Sequence, residues 1–186
     1  MNPTPPAITL RAWRDDDLAP YAGMNADPEV MRYFPGTLTA AESQESYRRQ
    51  RQLIEDRGWG LWVVDVDGAF AGFTGLAVPR FEAHFTPCVE IGWRLRREFW
   101  GRGIAYTAAR QAERYAFETL ELDELLTFTA AINTPSVRLM ERLGFARDLR
   151  GDFWHPTLPA DSPLRLHVLY RKPRTQWTAD AAQPAG

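Results

Sequence analysis

Several short segments of the chain alternate apolar and polar residues, and this period of two predicts β-strands. The predicted strands are Ile8 to Trp13, Leu61 to Asp65, Phe70 to Val78, residues 88–95, Leu125 to Ala131, Ala146 to Phe153 and Leu164 to Arg171. The dipeptide Asp67-Gly68 favours a tight turn, so the second and third of these strands are expected to form a hairpin.

Between the strands, apolar residues recur with helical spacing and capping residues stand at the expected ends. The predicted helices run from Leu18 to Asn25, from Asp27 to Tyr33, from Thr39 to Asp56, from Ile104 to Leu120 and from Thr134 to Gly144. Thr39 and Glu42 match a capping box. Thr134 is predicted to cap the last helix, with Pro135 at its first position. Strands and helices are partly interleaved, which indicates an α/β or α+β fold with a mixed sheet.

Length and composition indicate one globular domain. The chain has 186 residues, of which 45% are apolar and 12% aromatic, enough for a sizeable core. The proline-rich residues 1–7 are expected to be flexible. The alanine- and proline-rich residues 173–186 are expected to be disordered, which leaves a single domain at residues 8–172.

Charge and cysteine content narrow the class of protein. A net charge of −2 argues against general nucleic-acid or membrane binding, and no apolar run approaches the ~18–20 residues of a membrane span. The first residues show no signal-peptide pattern, and the single cysteine, Cys88, fits a reducing compartment. We therefore expect a soluble, cytoplasmic protein without nucleic-acid or membrane partners.

A glycine-rich turn, Phe99 to Ala105, follows the strand at 88–95 and opens the helix at Ile104. The start of a helix presents unpaired N–H groups and partial positive charge, and glycines let a phosphate approach them. The turn is therefore predicted to hold an anionic, diphosphate-bearing ligand. A dinucleotide fingerprint would need a third glycine where Tyr106 stands, and a Walker A loop would need Gly-Lys-Ser/Thr. A turn shaped only for packing is the remaining alternative.

A second turn, beginning at Asn133, lies on the adjoining strand–helix unit. Together the two turns make the sequence resemble the GNAT N-acetyltransferase superfamily over roughly residues 88–146. The pattern Gln/Arg-x-x-Gly-x-Gly/Ala corresponds to Trp100, Gly103 and Ala105, and the pattern Asn-x-x-Ser/Ala…Glu-x-x-Gly-Phe corresponds to Asn133, Ser136, Glu141, Gly144 and Phe145. The Glu-Ile-Gly and Trp-Gly-x-Gly segments are most similar to the RimJ/RimL-like branch, which includes ribosomal-protein N-terminal acetyltransferases.

This resemblance implies the GNAT fold, with a central mixed, mostly antiparallel sheet of about seven strands, splayed central strands and flanking helices. It also implies acetyl-CoA as cosubstrate and no metal. The pyrophosphate would bind the amides of the glycine turn, and the pantetheine arm would run along the strand edge from Trp93 to Leu95. The implied cofactor-binding residues are Trp93, Leu95, Trp100, Gly101, Arg102, Gly103, Ile104, Ala105 and Asn133.

Two side chains are candidates for moving protons. Ser136 is the candidate acid for the departing thiolate, the alternative being a serine that only caps its helix. Glu90 is the candidate base, acting through water, the alternative being a carboxylate that faces solvent or a salt bridge. His155 and His167 are alternative bases. Cys88 lacks the partners of a nucleophile and is expected to be a small buried side chain.

The acceptor is expected to be an amine, either a protein N-terminus or a small molecule, in a site lined by Phe73, Trp154 and His155. The oligomeric state is open, a homodimer included. Met140 stands where many superfamily members carry a tyrosine acid. The sequence thus predicts an N-acetyltransferase that works by direct attack of the amine. A catalytically weak or inactive module that binds or senses CoA is the alternative.

Overall fold

The computed structural model describes residues 6–177, and its elements follow the predicted order. The strands are β1 Ile8–Arg11, β2 Leu61–Val66, β3 Ala69–Ala77, β4 Glu90–Leu95, β5 Glu124–Ala130, β6 Ala146–Arg147, β7 Phe153–Trp154 and β8 Leu166–Pro173. The helices are α1 Leu18–Ala26, α2 Pro28–Met31, α3 Ala40–Arg57, α4 Ile104–Arg114 and α5 Thr134–Arg142. A π-helical turn, Tyr115–Thr119, follows α4.

The strands form one open sheet in the order β1-β2-β3-β4-β5-β8-β6, with β7 also paired to β8. Most pairs are antiparallel, and β4 pairs with β5 in parallel. That parallel ladder is one residue pair long, Glu90 opposite Leu126, which agrees with the splayed central strands that the resemblance implies. The predicted fold class is confirmed, with eight strands in place of about seven.

The described chain forms two compact units. One comprises the residues up to Gly75 together with Gly92–Ala112, and the other comprises Leu76–Ile91 together with the residues from Glu113 onward. Strand β4 therefore contributes its first two residues to the second unit and the rest to the first.

An aromatic cluster around Trp13 forms much of the core of the first unit. The Trp13 ring contacts the rings of Tyr21, Tyr47, Phe70 and Phe73 at centroid distances of 5.1–6.3 Å. Its indole N–H donates to the Leu61 carbonyl at 2.7 Å, so the one polar atom of this buried ring is satisfied. Trp13 lies beyond the end of β1, which stops at Arg11 and not at Trp13 as predicted.

The second unit contains an ion pair that is entirely removed from solvent. Lys172 of β8 lies 2.7 Å from Glu113 of α4, and both side chains are fully buried. The Lys172 ammonium also donates to the Leu143 carbonyl at 2.8 Å. A buried charge is tolerated when it is paired and hydrogen-bonded, so this contact fixes the end of α4, β8 and the end of α5 together.

Two local signals read from the sequence are confirmed in full. The Thr39 hydroxyl accepts from the Glu42 amide while the Glu42 carboxylate accepts from the Thr39 amide, which is the predicted capping box at the start of α3. Asp67 and Gly68, with φ of 52° and 86°, form the predicted hairpin turn between β2 and β3. Both signals depend on neighbouring residues only, which is why they could be read without the rest of the fold.

Three further predicted boundaries are wrong. The cap of α5 is Asn133 and not Thr134, because the Asn133 side chain accepts the Ser136 amide. The strand predicted at Ala146 to Phe153 is interrupted after Arg147, because a turn closes there through the bond from the Gly151 amide to the Asp148 carbonyl.

The third wrong boundary is the start of the C-terminal tail. Strand β8 runs to Pro173, and Trp177 is buried with its ring stacked 5.4 Å from that of Phe117. The beginning of the segment predicted to be disordered is therefore packed against the second unit. Residues 178–186 and residues 1–5 lie outside the described residues.

Gly72→Ala should destabilise the protein by at least about 2 kcal/mol. Gly72 has a φ of 144°, and a Cβ there would lie 2.2 Å from the Arg94 carbonyl oxygen and 2.7 Å from the Leu95 Cα. Backbone atoms cannot rotate away, so the strand must shift. Urea unfolding monitored by circular dichroism measures the effect.

The control is Gly23→Ala, in α1, where a Cβ would meet nothing within 4 Å and the φ is ordinary. That change should leave stability unchanged or raise it by up to about 1 kcal/mol. Equal unfolding midpoints for the two variants would contradict the close approach of β3 and β4.

Candidate active site

The turn from Gly101 to Ala105, called the glycine turn below, is built to present main-chain donors. Gly101 and Gly103 have φ of 69° and 74°, in the left-handed region that other residues rarely adopt. The first hydrogen bond of α4 runs from the Thr107 amide to the Gly103 carbonyl. The amides of Ile104 and Ala105 precede that bond and have no carbonyl four residues back within the helix.

The space over the glycine turn is open. A Cβ at Gly101 or Gly103 would meet nothing within 4 Å, and both residues are exposed. Packing therefore does not require these glycines, which disfavours a turn shaped only for packing. The positive φ angles of this turn require the glycines. Because glycines have no side chains, the backbone beside the positive end of α4 is left bare.

Trp100 ties the glycine turn to strand β4. Its indole N–H donates to the Leu95 carbonyl at 2.8 Å, and its amide donates to the Arg97 carbonyl at 3.1 Å. The ring itself is 41% exposed. Trp100 thus holds the turn by a hydrogen bond to the Leu95 carbonyl, and contact of Leu95 with a cofactor stays a prediction.

Glu90, the first residue of β4, has a half-buried side chain. Burial raises the pKa of Glu90 to about 8. Within residues 6–177 this carboxyl group forms neither an ion pair nor a side-chain hydrogen bond. The structure therefore shows no salt bridge at Glu90, while its half-buried side chain leaves the solvent-facing alternative open. A carboxyl group with a pKa near 8 suits proton transfer.

Cys88 is unsuited to attack a thioester. Burial, and secondarily the charge of Glu90, raise the pKa of the Cys88 thiol to about 11. The thiolate is the nucleophilic form, and it would be scarce at neutral pH. This agrees with the expectation that Cys88 is a structural side chain.

Asn133 and Ser136 lie at the start of α5. The Asn133 carbonyl oxygen accepts from the Ser136 amide at 3.3 Å, and its NH2 group donates to the Thr129 hydroxyl at 2.9 Å. Asn133 therefore orders its turn, and its contact with a cofactor stays a prediction. Ser136 does not cap the helix. Its hydroxyl makes no hydrogen bond to a described residue and is partly exposed.

Two histidines predicted as alternative bases belong to an aromatic cluster in the second unit. The ring centroids of His155 and His167 are 4.9 Å apart, and Phe81 lies 4.6 Å from His155. Burial lowers the pKa of His167 to about 4 and lowers that of His155 as well. Both rings are therefore neutral at physiological pH, and among residues 6–177 no carboxylate forms an ion pair or hydrogen bond with either ring.

The three residues predicted to line the acceptor site are not brought together in one unit. Trp154 is 60% exposed and stacks under Arg165 in the second unit, where His155 also lies. Phe73 is buried in the aromatic core of the first unit. The role of each in acceptor binding stays a prediction.

Sequence reasoning missed Arg94, the second-last residue of β4. Its Nη1 donates to the Asn25 carbonyl oxygen at 2.8 Å, and its guanidinium carbon lies 3.9 Å from the ring centroid of Phe34 and 5.3 Å from that of Phe73. Its Nε is buried and has no hydrogen-bond partner among the described residues. The available signal was a permanent charge within a strand whose neighbouring residues Trp93 and Leu95 are apolar.

Residues 6–177 contain no group of three or more histidine, cysteine, aspartate or glutamate side chains that could hold a metal ion. No helix in this range combines the length and the hydropathy that crossing a bilayer requires.

Glu90→Gln should stabilise the protein at neutral pH and not in acid. The pKa of Glu90 in the folded state lies above its ordinary value of 4.5. Its contribution to stability is thus fully present below pH 4.5 and is lost as the pH rises toward 8. Relative to wild type, the variant should gain about 3 kcal/mol between pH 4 and pH 7. Urea unfolding at both pH values measures this gain.

The matched control for this experiment is Glu82→Gln, since Glu82 is an exposed glutamate in the same unit. The difference in the free energy of unfolding between Glu82→Gln and wild type should be the same at both pH values. A Glu90→Gln difference that does not change with pH would show that the carboxyl group is well hydrated in the folded protein.

Comparison with known proteins assigns this architecture to a family. The family profile described as acetyltransferase (GNAT) domain matches residues 7–146. The chain is 35% identical over 128 residues to the FsC-acetyl coenzyme A-N(2)-transacetylase of Aspergillus fumigatus, an alignment that covers 65% of the chain and 54% of that relative. It is 26% identical over 157 residues to the spermidine N(1)-acetyltransferase of Escherichia coli, covering 82% of the chain and 79% of that relative.

A solved structure shows the same fold. The spermidine N-acetyltransferase of Vibrio cholerae, in complex with CoA and spermine, superposes with a TM-score of 0.72 at 21% identity, covering 92% of the chain and 98% of that protein. The profile match over most of the chain, together with relatives named as acetyltransferases, shows that the chain belongs to the GNAT acetyltransferase family and is an acyltransferase.

Proposed function

We propose that this protein is an acetyl-CoA-dependent N-acetyltransferase of the RimJ/RimL-like branch, which transfers the acetyl group by direct attack of a primary amine. The observation that carries this proposal is the glycine turn. Two left-handed glycines stand before the first bonded turn of α4 and leave bare amides facing open space. Such a surface fits a linked pair of phosphates.

The residues of the glycine turn fit the cosubstrate. The amides of Arg102, Gly103, Ile104 and Ala105 would bind the pyrophosphate, aided by the positive end of the α4 dipole. The V. cholerae neighbour is a complex with CoA, which supports the same ligand here. The peptide groups of Trp93 would pair with the pantetheine arm, since the Leu95 carbonyl is held by Trp100.

Glu90 would take the proton that the amine must lose. A carboxyl group whose pKa is near 8 accepts a proton more readily than an ordinary glutamate does. An α-amine, with a reference pKa of about 8, is well matched to it, whereas a lysine at about 10.4 is a poorer match. A water molecule between base and amine would relay the proton.

Ser136 would supply a proton to the departing thiolate. Its hydroxyl is not used for capping, because Asn133 performs that task. Met140, where many superfamily members carry a tyrosine, is a buried core residue and cannot donate a proton. Direct attack is favoured over a covalent enzyme intermediate because the Cys88 thiol remains protonated at neutral pH.

The proposal is tested by incubating the protein with acetyl-CoA and a panel of peptides and small amines while following thiol release. Turnover with at least one amine is expected. CoA binding without any turnover would instead favour the non-catalytic CoA-binding module, which the buried Met140 in the tyrosine position makes worth testing. Absence of both binding and turnover would reject the proposed function.

Gly103→Ala should weaken CoA binding at least tenfold, because a residue with a Cβ disfavours the φ of 74° that aims the turn's amides. Isothermal titration calorimetry with CoA measures the affinity. The matched control is Gly68→Ala in the β2–β3 hairpin. Gly68 has a φ of 86° and equally open surroundings, so the backbone strain is similar. An equal loss of affinity in both variants would mean that the turn has no special role.

The pH dependence of kcat/KM should report Glu90. If Glu90 is the base, its ionised fraction and hence kcat/KM should rise about tenfold from pH 7 to pH 9. The amine also loses its proton in this range, so the informative quantity is the ratio of wild type to Glu90→Gln, which should grow with pH through about 8. A constant ratio would remove Glu90 from catalysis, and an unaltered rate in Ser136→Ala would remove Ser136, without rejecting the enzyme.

A further inference from the structure

The guanidinium of Arg94 occupies a small pocket within the first unit, defined by Arg94, Asn25, Phe34 and Phe73 and called the Arg94 pocket. Phe34 lies against the guanidinium at 3.9 Å and Phe73 at 5.3 Å. Asn25 is fully buried and donates to the Ser43 hydroxyl of α3, so its carbonyl oxygen is the atom that faces Arg94. The charged group is therefore held by an oriented amide and two aromatic rings.

No carboxylate neutralises this charge. Within residues 6–177, none of the acidic side chains forms an ion pair with Arg94. Removal from water lowers the pKa of Arg94 to about 10, and an arginine with that pKa still carries its charge at physiological pH. A desolvated cation without an anion is costly, and proteins rarely keep one unless it has a use.

The unoccupied edge of the guanidinium has the shape of an anion receptor. Nη1 is the nitrogen that donates to Asn25, while Nε is buried without a partner. The Nε and Nη2 groups of arginine form two parallel donors whose spacing matches the two oxygens of a carboxylate. Phe34 is 36% exposed, so the outer wall of the Arg94 pocket borders solvent.

The Arg94 pocket lies on the face of β4 opposite to the helix that bears the glycine turn. Leu95 packs with Ile104 and Ala108 of α4. Successive residues of a strand point to opposite faces, and Arg94 accordingly contacts Asn25 of α1. The start of α4, where a phosphate would bind, is thus on one face of β4. The Arg94 pocket is on the other face.

We propose that the Arg94 pocket binds a carboxylate carried by the acceptor, so that the substrate is an aminocarboxylate and not a polyamine. This inference rests on the proposed function and names its substrate class. A carboxylate would satisfy Nε and Nη2 together, whereas a polycation would be repelled by the uncompensated guanidinium. Cofactor phosphate in the pocket is the competing source of the same anionic chemistry, and the experiment separates the two.

The experiment compares paired acceptors in wild type, Arg94→Gln and Arg94→Lys. Each pair is a free α- or ω-amino acid and its carboxamide, supplied with acetyl-CoA, and kcat/KM is measured by thiol release. Taking the variant-to-wild-type ratio within each pair cancels the difference in amine basicity. Arg97→Gln is the matched control. Arg97 lies just after β4, its side chain is exposed, and its ion pair with Asp27 is long, at 3.8 Å.

Wild type should prefer the carboxylate member of at least one pair. For that acceptor, Arg94→Gln should lower kcat/KM about 100-fold, while its amide changes less than threefold. Arg94→Lys should fall between, because it keeps the charge and loses the two-pronged geometry. Arg97→Gln should match wild type, and the CoA affinity of all variants should be unchanged by calorimetry.

Three results would overturn the inference. One is an equal loss for carboxylate and amide, which would make Arg94 structural. Another is weaker CoA binding in Arg94→Gln and Arg94→Lys, which would place cofactor phosphate in the pocket. The third is a preference of wild type for polyamines or amides. In each case continued CoA binding and turnover would leave the proposed function intact, whereas loss of both in wild type would reject that function itself.

Discussion

The cost of keeping an ionisable group away from water is the constraint that organises this protein. Strand β4 bears two such groups, Glu90 near its start and Arg94 further along, and neither forms an ion pair with the described residues. Lys172 and Glu113 show how the same chain treats a buried charge that serves the fold: the two are paired at 2.7 Å and both are fully buried. The contrast fits the roles proposed for Glu90 in proton transfer and for Arg94 in binding the acceptor.

The proposed cofactor site and the proposed base use different kinds of atoms for the same reason. The glycine turn offers main-chain amides, whose positive character comes from the helix and needs no side-chain counterion. Proton transfer needs a group whose affinity for protons can be adjusted, and burial supplies that adjustment at Glu90. Trp100 joins the glycine turn to β4 without adding a charge, because its indole N–H donates a hydrogen bond to the Leu95 carbonyl. Substitution of the family's polar residue by Trp100 is therefore compatible with a working turn.

Much of the fold could be predicted because its signals are local. The capping box at Thr39, the hairpin at Asp67 and the glycine turn each depend on a few adjacent residues, and the structure places all three as expected. The candidate site was harder to predict from the sequence than the fold. The buried state of Glu90 and the isolation of Arg94 depend on segments far away in sequence, such as Asn25, 69 positions from Arg94. The interrupted strand after Ala146 was missed because the turn at Asp148 uses a tertiary bond to Leu169.

The close approach at Gly72 limits how this enzyme can adapt. The backbone of β3 lies so near the Arg94 carbonyl that even one added carbon atom would not fit. The main chain at Arg94 is therefore held in place by β3 and cannot shift to accommodate a bulkier ligand. Any tolerance for differently shaped molecules must come from the opposite wall, which is formed by the partly exposed Phe34 ring. Differences in substrate preference among related enzymes would then arise from substitutions in the short segment around Phe34 and not in β4.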